Sequence, residues 1–124
     1  DGALTGYQSL TYNRYHALAP GIVLISAPGH TPGSQMVYVK TASGQEILFL
    51  GDVAWRFESI ERLAARARAI SMFFLGEDRD AVLLELAELK RLHEAEKDLA
   101  IVPGHDVKVM DDLLRAGIIV KGFK

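Results

Sequence analysis

Three places in the sequence set a metal-competent side chain directly after a glycine at the end of a short apolar run. They are Gly29-His30 after Ile22-Val23-Leu24-Ile25, Gly51-Asp52 after Ile47-Leu48-Phe49-Leu50, and Gly104-His105 after Leu99-Ala100-Ile101-Val102. Imidazole and carboxylate hold zinc and related divalent ions where no thiolate is available, and the chain contains no cysteine. A buried strand end fixes the direction of the side chain that follows it, and a glycine beside it lets the backbone turn sharply or approach a ligand closely. Pro28, Pro32 and Pro103 stiffen the two histidine loops by fixing φ. Taken singly, a histidine in a turn is more often solvated, and an aspartate after glycine is more often a turn or capping residue. The same placement three times is harder to explain that way. His93 lies near the end of an amphipathic helical pattern, where a cation is favourable, and reads as structural, while His16 has no partner motif and reads as surface.

The elements that must position these residues follow from the patterning. Up to Pro20 the chain reads as irregular, with Gly2, Gly6 and Asn13 as turn residues and Tyr7, Tyr12 and Tyr15 giving weak strand character. A buried strand at Ile22 to Ile25 then enters the Pro28 to Ser34 loop. Met36 to Val39 and Ile47 to Leu50 flank Thr41 to Gln45, a connection of hairpin length, and predict an antiparallel pair. After Asp52 the period becomes helical: Ile60, Leu63, Ala64, Ala67 and Ile70 form one stripe. A second helix starts after Asp78 as N-cap and runs through Val82, Leu83, Leu86, Leu89 and Leu92, with Lys90 and Arg91 in its last turn. Leu99 to Val102 is a last buried strand, followed by a short helix around Met110 to Ala116 and an apolar tail, Ile118 to Val120.

The 124 residues are enough for one modest core and predict a single domain over 1–124. With 49% apolar and 24% charged residues the composition is that of a folded globular protein. A net charge of -2 supplies no field that would draw the chain to nucleic acid or an anionic membrane. No apolar run nears the roughly 20 residues needed to span a bilayer, and no secretory leader pattern is present, so the expected setting is cytoplasmic. The chain begins at Asp1 rather than Met, which predicts a processed chain or a piece of something longer.

Ala27-Pro28-Gly29-His30-Thr31-Pro32-Gly33-Ser34, then Leu48-Phe49-Leu50-Gly51-Asp52, then Ile101-Val102-Pro103-Gly104-His105-Asp106 closely resemble the later metal-binding motifs of the metallo-β-lactamase superfamily, in the right order. The resemblance spans nearly the whole chain. It implies an α/β (α+β) fold, the C-terminal half of an αββα sandwich, with a sheet carrying helices on one face. It also implies a metal-dependent hydrolase in which two ions, usually zinc, share a water at the sheet edge. His30 would then be a ligand of the first ion, Asp52 the catalytic carboxylate bridging both, and His105 a ligand of the second. Two cations lower the pKa of a shared water, so that hydroxide can attack a polarised carbonyl or phosphoryl centre near neutral pH. Trp55 and Arg56 follow Asp52 closely; they read either as a substrate-pocket wall and an anion clamp or, with Phe57, as the anchor of the next helix.

The chain departs from the family in lacking the earlier His-X-His-X-Asp-His motif, which would supply the other ligands. Structural zinc takes four protein ligands and catalytic zinc about three, so this chain supplies about half a site and is expected to be inactive alone. The substrate class implied is a small-molecule ester, thioester, lactone or lactam. A different reading is a non-catalytic binding or assembly module that keeps the fold without a complete metal site. A weaker one is a mononuclear triad of His30, Asp52 and His105 holding iron or manganese. Without the other half, the strands from Ile22 to Ile25, Met36 to Val39 and Ile47 to Leu50 would face water. The expected partner is therefore a second copy, as a homodimer, or a complementary N-terminal half.

Overall fold

In the computed structural model, which describes residues 10–67 and 76–122, five strands form one mixed sheet in the order β1-β2-β3-β4-β5. β1 (Tyr15–Ala19), β2 (Ile22–Ser26), β3 (Gln35–Lys40) and β4 (Glu46–Phe49) run as an antiparallel meander. The β3–β4 hairpin closes at Thr41–Gln45, where Thr41 N–H donates to the Gln45 carbonyl at 2.9 Å. β5 (Ala100–Val102) lies parallel to β4. A parallel neighbour requires a crossover, and the crossover carries α1 (Phe57–Arg62) and α2 (Arg79–Ala95); α3 (Val107–Arg115) follows β5.

β1 is only weakly marked in the sequence, by Tyr15, because an edge strand with one neighbour needs no alternating pattern. Four of its five residues are exposed, and its pairing shifts register between Ala17 and Ala19. α1 is shorter than its stripe predicts. Leu63 takes a left-handed conformation, φ 50°, and the helix closes there through Leu63 N–H to Ile60 O and Ala64 N–H to Ser59 O. Of the expected stripe only Ile60 is buried in this helix, so no further apolar contact rewards another turn; Ile70 lies outside the described residues. α2 is as read, with the Asp78 carboxylate accepting from Ala81 N–H at 3.0 Å, although it continues to Ala95, a turn past Lys90 and Arg91. Lys90 instead reaches the Glu61 carbonyl at the end of α1, at 2.9 Å.

Residues opposite one another in a sheet share a face. The register aligns Tyr38, Leu48 and Ile101, and this face packs with Val82, Leu86 and Leu89 of α2 and Ile60 of α1 into the core. One helix is about 10 Å wide, whereas five strands about 4.8 Å apart span roughly 20 Å. α2 therefore leaves an apolar groove of about 770 Å³ over β1 to β3, bordered by Val23, Ile25, Met36, Tyr38, Leu84 and Leu92. The expectation that the opposite sheet face lies open to water needs correction at its centre: Leu24, Ile47 and Val102 are only 7%, 5% and 4% exposed within the chain itself. An open apolar groove lies instead on the helix side. Among the described residues no helix is long and apolar enough to cross a membrane.

Asp106, just after β5, ties α3 to α1. Its carboxylate caps α3 through Val109 N–H at 3.2 Å and also accepts from Phe57 N–H, in the first turn of α1, at 2.9 Å. Burial raises its pKa, but the backbone donors Phe57, Val109 and Lys108 and the Arg56 charge outweigh that and hold it below the ordinary value of 3.8.

Two stability results are expected. Leu86→Ala should cost about 2–5 kcal/mol, as for other fully buried leucines, while Leu84→Ala, at a position 69% exposed, should cost little in the dilute chain; equal losses in urea denaturation would contradict this orientation of α2. Asp106→Ala should cost about 1–2 kcal/mol near neutral pH. Because the folded-state pKa is depressed, that contribution is complete above 3.8 and fades as pH falls below it. The gap between wild type and variant in urea midpoint should narrow in acid, and a gap that widens would count against the assignment.

Candidate metal centre

β4 and β5 end side by side, and their glycines bring the two following loops into backbone contact. Leu50 N–H donates to the Val102 carbonyl at 2.9 Å, Gly104 N–H to Ala54 O at 3.0 Å and His105 N–H to Trp55 O at 3.0 Å. A Cβ on Gly104 would lie 2.2 Å from the Gly51 carbonyl oxygen, so no other residue fits there without moving a strand end. Gly51 itself has φ +55°, the left-handed region that favours glycine. Buried Leu50 and Pro103 hold these turns in place from below.

The consequence is a paired carboxylate and imidazole. Asp52 Oδ1 lies 3.1 Å from His105 Nε2 and accepts from Trp55 Nε1 at 3.0 Å. Trp55 meets the His105 ring edge to face, with centroids 5.3 Å apart. Burial raises the Asp52 pKa, but hydrogen bonds from His105 and Trp55 and the charges of His30 and His105 outweigh it, so the carboxyl stays ionised below its usual range. Both side chains remain reachable, with 46% of Asp52 and 61% of His105 exposed. Two ligands of one tetrahedral zinc, each about 2.0–2.1 Å from it, sit roughly 3.3 Å apart. The Asp52–His105 spacing fits such a pair, and the nitrogen and oxygen donors suit zinc.

His30 is set from a different side. After Ala27, which is fully buried, the loop is pinned by Ala27 N–H to Ser34 O at 3.0 Å and by the Thr31–Ser34 hydroxyl contact at 2.8 Å. Gly29 presses on the start of α2: a Cβ there would lie 2.8 Å from Val82 N and 2.7 Å from Glu85 Oε2. Gly29 N–H donates to Glu85 Oε1 at 3.0 Å, and its carbonyl accepts from Asp78 N–H at 2.9 Å. Burial raises the Glu85 pKa, the Gly29 donor lowers it and the Asp78 charge raises it again, leaving it above the ordinary value. So placed, His30 Nδ1 contacts Glu77 Oε1 at 2.7 Å.

Asp52 and His105 thus come within hydrogen-bond reach, whereas His30 makes its contact with Glu77, near enough for its charge to lower the Asp52 pKa. Among the described residues no three His, Asp or Glu side chains converge to hold one ion, which the mononuclear triad would need. The link between the two groups is Arg66, which pairs with Glu77 through Nη1, donates to the Asp52 carbonyl through Nη2 and lies 4.2 Å over the Trp55 ring. Arg66 and Glu77 escaped the sequence reading, since nothing local marks two residues whose roles come from each other. Asp106 could have been found, because an aspartate directly before a helical run is a capping signal. Trp55 contacts both Asp52 and His105, while Arg56 is exposed and borders a shallow depression with His105, Asp106 and Val109. Phe57 anchors α1, its ring edge-on to His93 of α2 with centroids 4.8 Å apart.

No protein-family model matches the chain. The N-acyl homoserine lactonase AiiA of Bacillus thuringiensis subsp. kurstaki is 28% identical over 93 residues, covering 75% of this chain and 34% of that protein. A Bacillus cereus N-acyl homoserine lactonase is 27% identical over the same length. Among solved structures, an N-acyl homoserine lactone hydrolase with the product N-hexanoyl-L-homoserine at its catalytic metal centre superposes with a TM-score of 0.64 and 26% identity, covering 82% of this chain and 37% of that one. A quorum-quenching N-acyl homoserine lactone hydrolase gives a TM-score of 0.61 and 28% identity over 78% of this chain and 36% of that one. The chain spans about a third of the length of the curated relatives it matches. In sequence and in fold the chain is thus similar to the C-terminal half of N-acyl homoserine lactonases.

Proposed function

We propose that this chain supplies part of the metal centre of a dinuclear-zinc-type hydrolase that opens a lactone or a related small-molecule ester, thioester or lactam. The observation that carries the reading is the Asp52–His105 pair, 3.1 Å apart on two strand ends joined by glycine contact. His30 would bind the first ion, Asp52 would bridge, and His105 would bind the second. Bound there, the ions would supply Lewis acidity and an acidified water. The chain's own contribution is to hold those ligands: Trp55 Nε1 fixes the Asp52 carboxylate, and the strand ends fix the loops. Trp55 would form an apolar wall for substrate and Arg56 a charged rim at the edge of the same surface. The lactonase relatives favour a lactone among the candidate substrates.

The missing ligands would come from a complementary N-terminal half. A second copy would cover the groove but would bring only another His30, Asp52 and His105, so homodimerisation alone leaves the site without its remaining donors.

This chain by itself should bind zinc weakly and turn over no generic lactone, because a partial ligand set cannot fix the coordination geometry. In a calorimetric titration, Asp52→Ala and His105→Ala should each lower the zinc affinity roughly tenfold or more with little change in urea midpoint, since neither side chain is part of the buried core. Zinc binding unaffected by either substitution would refute the site, and tight binding with turnover would refute its incompleteness. Light scattering should report a mass above that of one chain, reduced by Leu84→Asp in the groove wall; a concentration-independent monomer would show that the groove needs no cover.

A further inference from the structure

We propose that Glu77 and Arg66 are positioning residues for the metal ligands, an inference that rests on the reading of His30 and Asp52 as ligands. A carboxylate only accepts hydrogen bonds, so the 2.7 Å contact with Glu77 Oε1 makes His30 Nδ1 the donor and leaves Nε2 with the lone pair that binds an ion. Glu77 thereby selects both the tautomer and the orientation of the ring, as a carboxylate behind a ligating histidine does.

Arg66 makes the arrangement rigid. Its Nη1 donates to the same Glu77 oxygen and its Nη2 to the Asp52 carbonyl, so one guanidinium ties the support of His30 to the backbone of Asp52. The Arg79 guanidinium in turn holds the Arg66 carbonyl at 2.5 Å. Simple stabilisation explains this poorly. The side chains of Glu77 and Arg66 are 1% and 11% exposed, and taking such a pair from water costs about as much as its attraction returns. Moreover, Arg66 Nε is buried with no hydrogen-bond partner among the described residues, while both Nη atoms serve the two ligand loops. The pair is arranged for direction, at some loss of hydrogen bonding.

Nitrogen-15 imidazole spectra of the metal-free chain, taken above the ordinary imidazole pKa, test the inference directly. His30 should carry its proton on Nδ1. Because Glu77→Met alone strands the Arg66 charge, the informative variant is Glu77→Met with Arg66→Met, checked for an unchanged fold by circular dichroism. It should lose the tautomer preference and shift the zinc midpoint, followed on the His30 signals, roughly tenfold to a hundredfold upward. Glu77→Gln in the Arg66→Met background, which keeps an acceptor oxygen and strands no charge, should restore both. His30 protonated on Nε2 in the wild type, or an unchanged tautomer and zinc midpoint in the double variant, would overturn the proposal. If the tautomer behaves as expected while none of His30, Asp52 and His105 responds to zinc, Glu77 is confirmed as orienting His30 and the metal reading is what fails.

Discussion

The backbone contact between Gly51 and Gly104 is the constraint on which the site depends. β4 and β5 are parallel neighbours, so their ends emerge together, but side chains at the first turn would normally hold the two loops apart. With only hydrogens at Gly104 Cα, the chain passes against the Gly51 carbonyl and the next residues, Asp52 and His105, arrive within hydrogen-bond reach. Two further backbone hydrogen bonds, to Ala54 and Trp55, extend the contact into a short seam. The geometry of the pair is therefore set by main chain, which moves less than side chains do, and Trp55 completes it by bonding the carboxylate and bracing the imidazole.

The His30 loop uses the same device against a helix. Gly29 sits where a methyl group would strike Val82 and Glu85, so the loop rests directly on the first turns of α2. The helix is in turn fixed to the sheet by Val82, Leu86 and Leu89, so burial of those side chains reaches His30 through one rigid body. The two halves of the site are thus built on different supports, a strand seam and a helix start. Arg66 and Glu77 connect them, through one guanidinium that reaches both the Glu77 carboxylate and the Asp52 carbonyl.

The unevenly covered sheet follows from width. α2 and α1 cover the β4 and β5 side, where the metal-competent loops are, and leave β1 to β3 with an apolar groove on the same face. The helices thus support the loops that carry His30, Asp52 and His105, and the open surface lies away from them.

Much of the chain was legible locally. The apolar runs before Gly29, Gly51 and Gly104, the hairpin at Thr41–Gln45 and the Asp78-capped helix are written in short-range alternation, helical period and capping chemistry, all of which depend on near neighbours in sequence. The three candidate ligands were legible for the same reason: each follows its own strand by one or two turns. Only the tertiary structure decided that Tyr15–Ala19 is an edge strand, that α1 stops at Leu63, that Asp106 joins α3 to α1, and that His30 leans on Glu77 instead of on Asp52. Each of these rests on a partner far away in sequence: β2 for the edge strand, Phe57 for Asp106, and residue 77 for both His30 and Arg66. A local pattern records which face a residue prefers to bury; it carries no information on which distant carboxylate will be there when it does.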